Sequence, residues 1–296
     1  MISKIYLYTL IFLFFAYQAS AQTMTGLKEK IESIVSGKKA TVGVSVLSIE
    51  DGDSLSINGD KNFPMMSVFK FHIALAVLKR VDDGQLSLNQ KIFISSKELL
   101  DTWSPIKEKY PNGNVTLTLN EFLKYTVSHS DNNGCDILLR LIGGTHVVQE
   151  FINSVGIKDF LIQYNEEQMA NGELAKVNTT TPLATTKLLA LFYNNKVLSK
   201  NSTAYLYKLM KDNSRGATLI KGKLPANTVV AHRTGMSGTD DNGLQIALNN
   251  AGIVTLPNNK HFAIAVYVTN TTESIKATEA IIADIAKAAW DYFISK

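Results

Sequence analysis

A hydroxyl and an amine three residues apart, Ser67 and Lys70, stand at the head of a long apolar run in Phe63-Pro64-Met65-Met66-Ser67-Val68-Phe69-Lys70-Phe71-His72. Pro64 fits a loop or the edge of a helix. Phe69, Ile73 and Val77, with the Ala and Leu residues between them, predict a helix apolar nearly all round, as expected of a buried one. A spacing of three puts Ser67 and Lys70 on one face, one turn apart. At a helix N-terminus the free backbone N–H groups and the dipole favour negative charge. That suits a serine that must become an alkoxide and an acyl oxygen that must become an oxyanion, and a neighbouring lysine can take the proton. By itself a serine and a lysine one turn apart also describes many exposed helix faces, so the chemistry depends on partners.

Two further polar clusters stand at element ends. Ser130-Asp131-Asn132 falls in a turn between two predicted helices, and Arg233-Thr234-Gly235 ends a predicted strand. With S-x-x-K, these three clusters make the chain resemble the class A serine β-lactamases, over essentially all of it beyond the first residues. Trp103-Ser104-Pro105 before the second cluster and Thr180-Thr181-Pro182 after a central loop extend the resemblance.

The resemblance implies roles. Ser67 would form an acyl-enzyme on the lactam carbonyl, with Lys70 in its proton network, and Ser130 would relay a proton to the departing ring nitrogen. Asn132 would hold the substrate's side-chain amide, while Asp131 would brace the turn. Backbone N–H groups of Ser67 and Met236 would form the oxyanion hole. Arg233, Thr234, Ser237 and Thr239 would meet the substrate carboxylate, and Trp103 would wall the entrance. Deacylation needs a base for water, for which the family uses a loop glutamate; here Glu166 and Glu167 are adjacent. Glu166 is the expected base, from its distance to Thr180-Thr181-Pro182 and the apolar Met169 three residues on. Glu167 is the alternative, since starting from it puts Asn171 at the family's usual asparagine. No cofactor and no metal are implied. Alternatives within the same motif set are a D-Ala-D-Ala peptidase and a β-lactam sensor that stays acylated.

Departures from the family pattern bear on substrate preference. Arg233 replaces the usual lysine, keeping the charge on a planar fork. Ala170 stands where, with Glu166 as base, the water-holding asparagine is usual. Tyr164 and Asn178 replace the arginine and aspartate of the loop neck, so closure must rest on other contacts, leaving more room for bulky cephalosporin side chains. Asp136 is an extra carboxylate that, if buried, needs donors. No arginine stands at the usual auxiliary carboxylate-binding places near the Leu244 strand or the Thr218 turn.

The elements that must position these residues follow from periodicity. Thr25 to Lys38 is an amphipathic helix. Val42 to Ile49 and Ser54 to Ile57 make a hairpin around Glu50-Asp51-Gly52-Asp53. Asp82 to Pro111 reads as loop and short helix, and Thr118-Leu119-Asn120-Glu121 as a helix start. Helices follow at Cys135–Ile142 and Val147–Val155, then a compact surface loop from Tyr164 to Asn178. Thr179-Thr180-Thr181-Pro182 starts another helix, and Ser202 to Asp212 makes one more. Val229–Thr234, Leu244–Leu248 and His261–Thr269 are strands, and Glu273–Ile294 is a closing helix. The expected fold is α+β in two lobes: a sheet lobe from residues 22–60 and 213–296, with an antiparallel sheet flanked by the terminal helices, and a helical lobe from 61–212. The active site would lie in the cleft between them.

Residues 1–21 carry one charge, Lys4, an apolar run from Ile5 to Tyr17, and Ala19-Ser20-Ala21 before Gln22. This predicts a secretory signal peptide and a periplasmic protein without a membrane anchor. Loss of Lys4 takes the net charge from +4 to a balance too mild to argue for nucleic acid or membrane binding. A small-molecule partner and a monomer fit better. The single cysteine, Cys135, excludes an intramolecular disulfide, and the five histidines include no metal-ligand spacing.

Overall fold

Along the strand His261–Thr271, Phe262, Ile264, Val266 and Val268 enter one core while Ala263, Ala265 and Tyr267 enter another. A strand buried on both faces must lie inside a sheet with a layer on either side. The computed structural model describes residues 23–296 and shows that arrangement; the expected signal peptide lies outside the described residues. The strands are β1 (Thr41–Ser48), β2 (Ser54–Ile57), β8 (Val230–Met236), β9 (Gln245–Thr255) and β10 (His261–Thr271), in the order β2-β1-β10-β9-β8 and antiparallel throughout. One face is covered by α1 (Met24–Val35) and α10 (Ile275–Ile294). The face of α10 read from its period, Ile281, Ile282, Ile285, Ala288, Ala289 and Phe293, is buried throughout.

The helices of the middle segment cover the other face. They are α2 (Phe69–Asp82), α3 (Pro105–Lys109), α4 (Leu119–Ser128), α5 (Asn132–Ile142), α6 (Thr145–Ser154), α7 (Glu166–Met169), α8 (Pro182–Tyr193) and α9 (Lys200–Lys211). α2 is buried from Phe69 to Leu78, so it is a central rod with no solvent face over its first ten residues. α4 starts as its sequence predicts: the Thr118 hydroxyl accepts from Glu121 N at 3.2 Å while the Glu121 carboxylate accepts from Thr118 N at 2.8 Å. α8 crosses the sheet, and two buried polar pairs fix it there: Thr185 Oγ1 lies 2.9 Å from Tyr267 Oη, and Thr186 Oγ1 lies 2.8 Å from Ser45 Oγ.

Three local expectations are corrected. In the segment 82–111, where loop and short helix are expected, Lys91–Ile94 (β4) pairs with Val115–Thr118 (β5) in a two-stranded sheet. Phe63–Pro64 (β3), Phe160–Leu161 (β6) and Thr179–Thr180 (β7) form a small sheet at the base of the central loop, and that loop itself contains α7. The strand expected at Leu244–Leu248 runs on to Thr255. Asn249 and Asn250 interrupt its apolar pattern, yet both are fully buried, because their side chains find partners at the site.

Candidate active site

Ser67 sits in a 3₁₀ turn, Met66–Val68, that feeds directly into α2. Met66 has φ +46°, a left-handed conformation that costs a non-glycine residue about 1 kcal/mol or more. Surrounding contacts hold it there. Asn249 Nδ2 donates to Pro64 O at 2.7 Å and to Met65 O at 3.2 Å, and Met65 N donates to Asn178 O at 2.9 Å. β8 presses against the same turn: a Cβ on Gly235 would stand 2.3 Å from Met65 O, so only glycine fits after Thr234.

Lys70 is buried to zero exposure beneath Ser67. Its ammonium lies 3.2 Å from Ser67 Oγ, 2.8 Å from Ser130 O, 3.4 Å from Ser130 Oγ and 2.6 Å from Asn132 Oδ1. Glu166 Oε1 is 2.8 Å away, an ion-pair contact and not an aligned hydrogen bond. Three N–H donors thus face five acceptors, so the contacts compete. Deleting the whole Glu166 side chain would leave the buried ammonium short of an acceptor, whereas a substitution that keeps an oxygen at this place preserves the contact.

Ser130 reaches this cluster because its backbone is also left-handed, φ +60°. The next residue, Asp131, is fully buried and caps α5: it accepts from Gly134 N and Ile106 N, both at 2.7 Å, and from Ser104 Oγ at 2.9 Å. Burial lifts its carboxyl above the usual range while those donors oppose the lift. Arg233 lies behind Ser130 and is 1% exposed. It donates to Val127 O, to Ser67 O at 3.1 Å and to Ser130 Oγ at 3.1 Å. Burial draws its pKa down to about 10, which still leaves it cationic at neutral pH. Its donors are turned onto protein oxygens, and its charge lies behind Ser130.

The two loop glutamates separate clearly. Glu166 points inward, its side chain 11% exposed, whereas Glu167 is exposed. Asp136 supplies the support that its burial demanded. Its two carboxylate oxygens accept from Glu166 N at 2.8 Å and Glu167 N at 2.9 Å, fixing the first turn of α7. The loop neck is closed without an ion pair: Asn178 Oδ1 accepts from Gln163 N at 2.8 Å and Tyr164 N at 3.0 Å, and its Nδ2 donates to Tyr164 O at 2.7 Å.

Burial raises the Asp136 carboxyl to about 6, with the Glu166 charge adding to the rise and the two N–H donors opposing it. Its native pKa thus exceeds that of the unfolded chain. The stability this group contributes is full below the unfolded value and is lost as pH rises from about 4 through about 6. Asp136→Asn removes that proton linkage and one of the two acceptors. The expected result is a variant less stable than wild type, with the stability gap widest near pH 4 and narrower at pH 7. Urea titrations at the two pH values check the sign; a gap that widens with pH would contradict it.

Ser67, Trp103, Ser130, Asn132, Glu166, Thr234, Met236, Ser237 and Thr239 all border one cleft of about 1010 Å³. Lys70 and Arg233 lie beneath its floor. At the mouth Trp103 is 46% exposed and donates from Nε1 to His129 O at 3.1 Å. Thr234 Oγ1 accepts from Asn250 Nδ2 at 2.8 Å, and Ser237 Oγ accepts from Ala247 N at 3.0 Å. Thr239 bridges to Gln245. Sequence reasoning did not single out Asn249, Asn250 or Arg215. The signal for the two asparagines was polarity inside an apolar strand. Arg215 is a cleft residue three positions before Thr218, with its guanidinium 4.5 Å from the Trp103 ring centroid.

The chain is similar to known proteins along nearly its whole length. Residues 26–293 match the profile described as the β-lactamase enzyme family. The chain is 47% identical over 299 residues to β-lactamase VEB-1 of Pseudomonas aeruginosa, covering 100% of this chain and 99% of that relative. The crystal structure of TLA-3 extended-spectrum β-lactamase is similar at a TM-score of 0.90 and 48% identity, covering 92% of this chain and all of the other. A class A β-lactamase from Bacteroides cellulosilyticus is similar at 0.88 and 38% identity, over 91% and 98%.

Proposed function

Because the chain belongs to the β-lactamase enzyme family, as a class A serine enzyme that hydrolyses β-lactams, we propose that it does so through a Ser67 acyl-enzyme released by Glu166. One observation carries this: the buried Lys70 ammonium lies within 3.4 Å of Ser67 Oγ, Ser130 Oγ, Asn132 Oδ1 and Glu166 Oε1 at once. In acylation Ser67 Oγ bonds to the lactam carbonyl carbon and gives its proton to the Lys70 and Glu166 set. The carbon–nitrogen bond then breaks, and Ser130, held by Arg233, passes a proton to the ring nitrogen. The backbone N–H groups of Ser67 and Met236 are assigned to the developing oxyanion, at the turn where β8 and the 3₁₀ helix are packed together. In deacylation Glu166 takes a proton from water as that water attacks the ester carbonyl; the bond from the carbonyl carbon to Ser67 Oγ then breaks, and Oγ regains a proton through Lys70, 3.2 Å away.

Asn132 is assigned to the amide of the substrate's side chain, and Thr234, Ser237 and Thr239 to the neighbourhood of its carboxylate. Periplasmic action is supported by the apolar leader, with a mature N-terminus at Gln22 as the check. Among the described residues no helix is long and apolar enough to cross a membrane.

We further infer good activity on cephalosporins, including those with bulky oxyimino groups. Two features support this. The neck of the Glu166 loop is closed by a neutral amide in place of a charged pair, and the loop borders a cleft of about 1010 Å³ with small residues, Ala170, Gly172 and Ala175. The similarity to an extended-spectrum enzyme points the same way. The expected kcat/KM for an oxyimino-cephalosporin lies within about tenfold of that for a simple penicillin, the range within which modest differences in pocket fit act. Steady-state hydrolysis of both compounds tests this, and a penicillin preference of several hundredfold would overturn it.

A further inference from the structure

The cleft has to take an anion, because penicillins and cephalosporins carry a carboxylate beside the ring nitrogen. The two cations below its floor are already engaged: Lys70 by the catalytic set and Arg233 by Val127, Ser67 and Ser130. Above the floor the walls are rich in carboxylates, with Glu166, Glu173, Asp240 and Glu279 all bordering the cleft. An approaching substrate therefore meets like charge unless a cation faces it. Two cationic side chains border the cleft, Lys176 and Arg215. Lys176 is paired with Glu173 at 2.7 Å. Arg215 has no carboxylate within ion-pair distance among the described residues, and its guanidinium rests on the face of Trp103.

We propose that Arg215 binds the substrate's carboxylate at the cleft mouth, with the Trp103 ring holding the guanidinium flat for that purpose. A stacked guanidinium keeps the N–H donors of its edge free, and those donors match the two oxygens of a carboxylate. The backbone that carries it is fixed from both sides. Ser214 N donates to Ser128 O at 2.9 Å on the helical side. On the sheet side Arg215 O accepts from Thr234 Oγ1 at 3.4 Å. Gly216, at φ +76°, brings the chain so near β8 that a Cβ there would stand 2.4 Å from Thr234 Oγ1. The Arg215 backbone is thereby anchored beside Thr234, and the Trp103 ring supports its side chain. This assignment rests on the hydrolase reading above and names the residue that selects for anionic substrates.

The test uses a penicillin and its methyl ester, which keeps the ring and side chain and lacks the charge. With wild type, Arg215→Ala and Arg215→Lys, hydrolysis of both compounds is followed at low and high salt. For the free acid, Arg215→Ala is expected to lower kcat/KM about 10- to 100-fold, mainly by raising KM, with partial recovery in Arg215→Lys. For the ester the three proteins should agree within about twofold, and the loss on the acid should shrink as salt screens the exposed charge. Equal losses on acid and ester would show that Arg215 only shapes the cleft, and no loss on the acid would remove it from recognition. Either result overturns the proposal while wild-type turnover stands. Absence of acid hydrolysis by wild type would instead overturn the hydrolase reading itself.

Discussion

Glu166→Gln is expected to acylate and then stall. The glutamate's side chain lies at the cleft with Oε1 2.8 Å from Lys70 Nζ, and its backbone is fixed by Asp136. A positioned general base contributes about 100- to 10,000-fold, so steady-state turnover should fall by that order. The attack by Ser67 keeps Lys70, Ser130 and the oxyanion donors and should be less sensitive. Glutamine preserves the side chain's shape and can still meet the ammonium through its carbonyl oxygen, so the variant should fold. Glu167→Gln is the internal control. Its backbone N–H is also held by Asp136, at 2.9 Å, but its side chain is exposed, and turnover should stay near wild type. The reverse pattern would transfer the role to Glu167 and bring Asn171 to the water.

Ser67→Ala should remove activity altogether, by at least about 10⁴-fold, because a nucleophile that acts as one unit with its base cannot be partly replaced. Stability should change little. The lost Oγ makes one contact at 3.2 Å, and Lys70 retains Ser130, Asn132 and Glu166 as partners. Stability equal to wild type by thermal melting, together with no hydrolysis of a chromogenic cephalosporin, is the expected outcome. Retained turnover would move the nucleophile elsewhere.

The parts of this protein that were legible in its sequence are those governed by local rules. The apolar girth of α2, the Thr118 and Glu121 cap and the alternation through β10 each follow from nearest-neighbour physics, and each predicts its element. The motif residues Ser67, Lys70 and Ser130 were legible because their hydroxyls and amine stand together at element ends. What escaped were residues whose reason lies far away in the chain. Asn249 and Asn250 look like a break in a strand until their partners at Met65 and Thr234 are known. The pairing of β4 with β5 joins two short runs across more than twenty residues, and neither run has a strong period of its own. Asp136 announced only a need for donors, and Glu166 and Glu167, thirty residues on, provide them. Arg233 shows the same limit, since its charge could be read while the direction of its fork could not.

The central claim is that one buried cluster both forms an ester at Ser67 and releases it through Glu166. It is tested most directly by mixing Glu166→Gln with a slight excess of a cephalosporin, quenching at intervals, and following the intact mass and then the digested peptides. The expected result is a near-stoichiometric acyl adduct on the peptide containing Ser67 that persists long after wild type has returned to its free mass. A variant that clears its adduct as fast as wild type, or that carries the adduct on a residue other than Ser67, would contradict the mechanism.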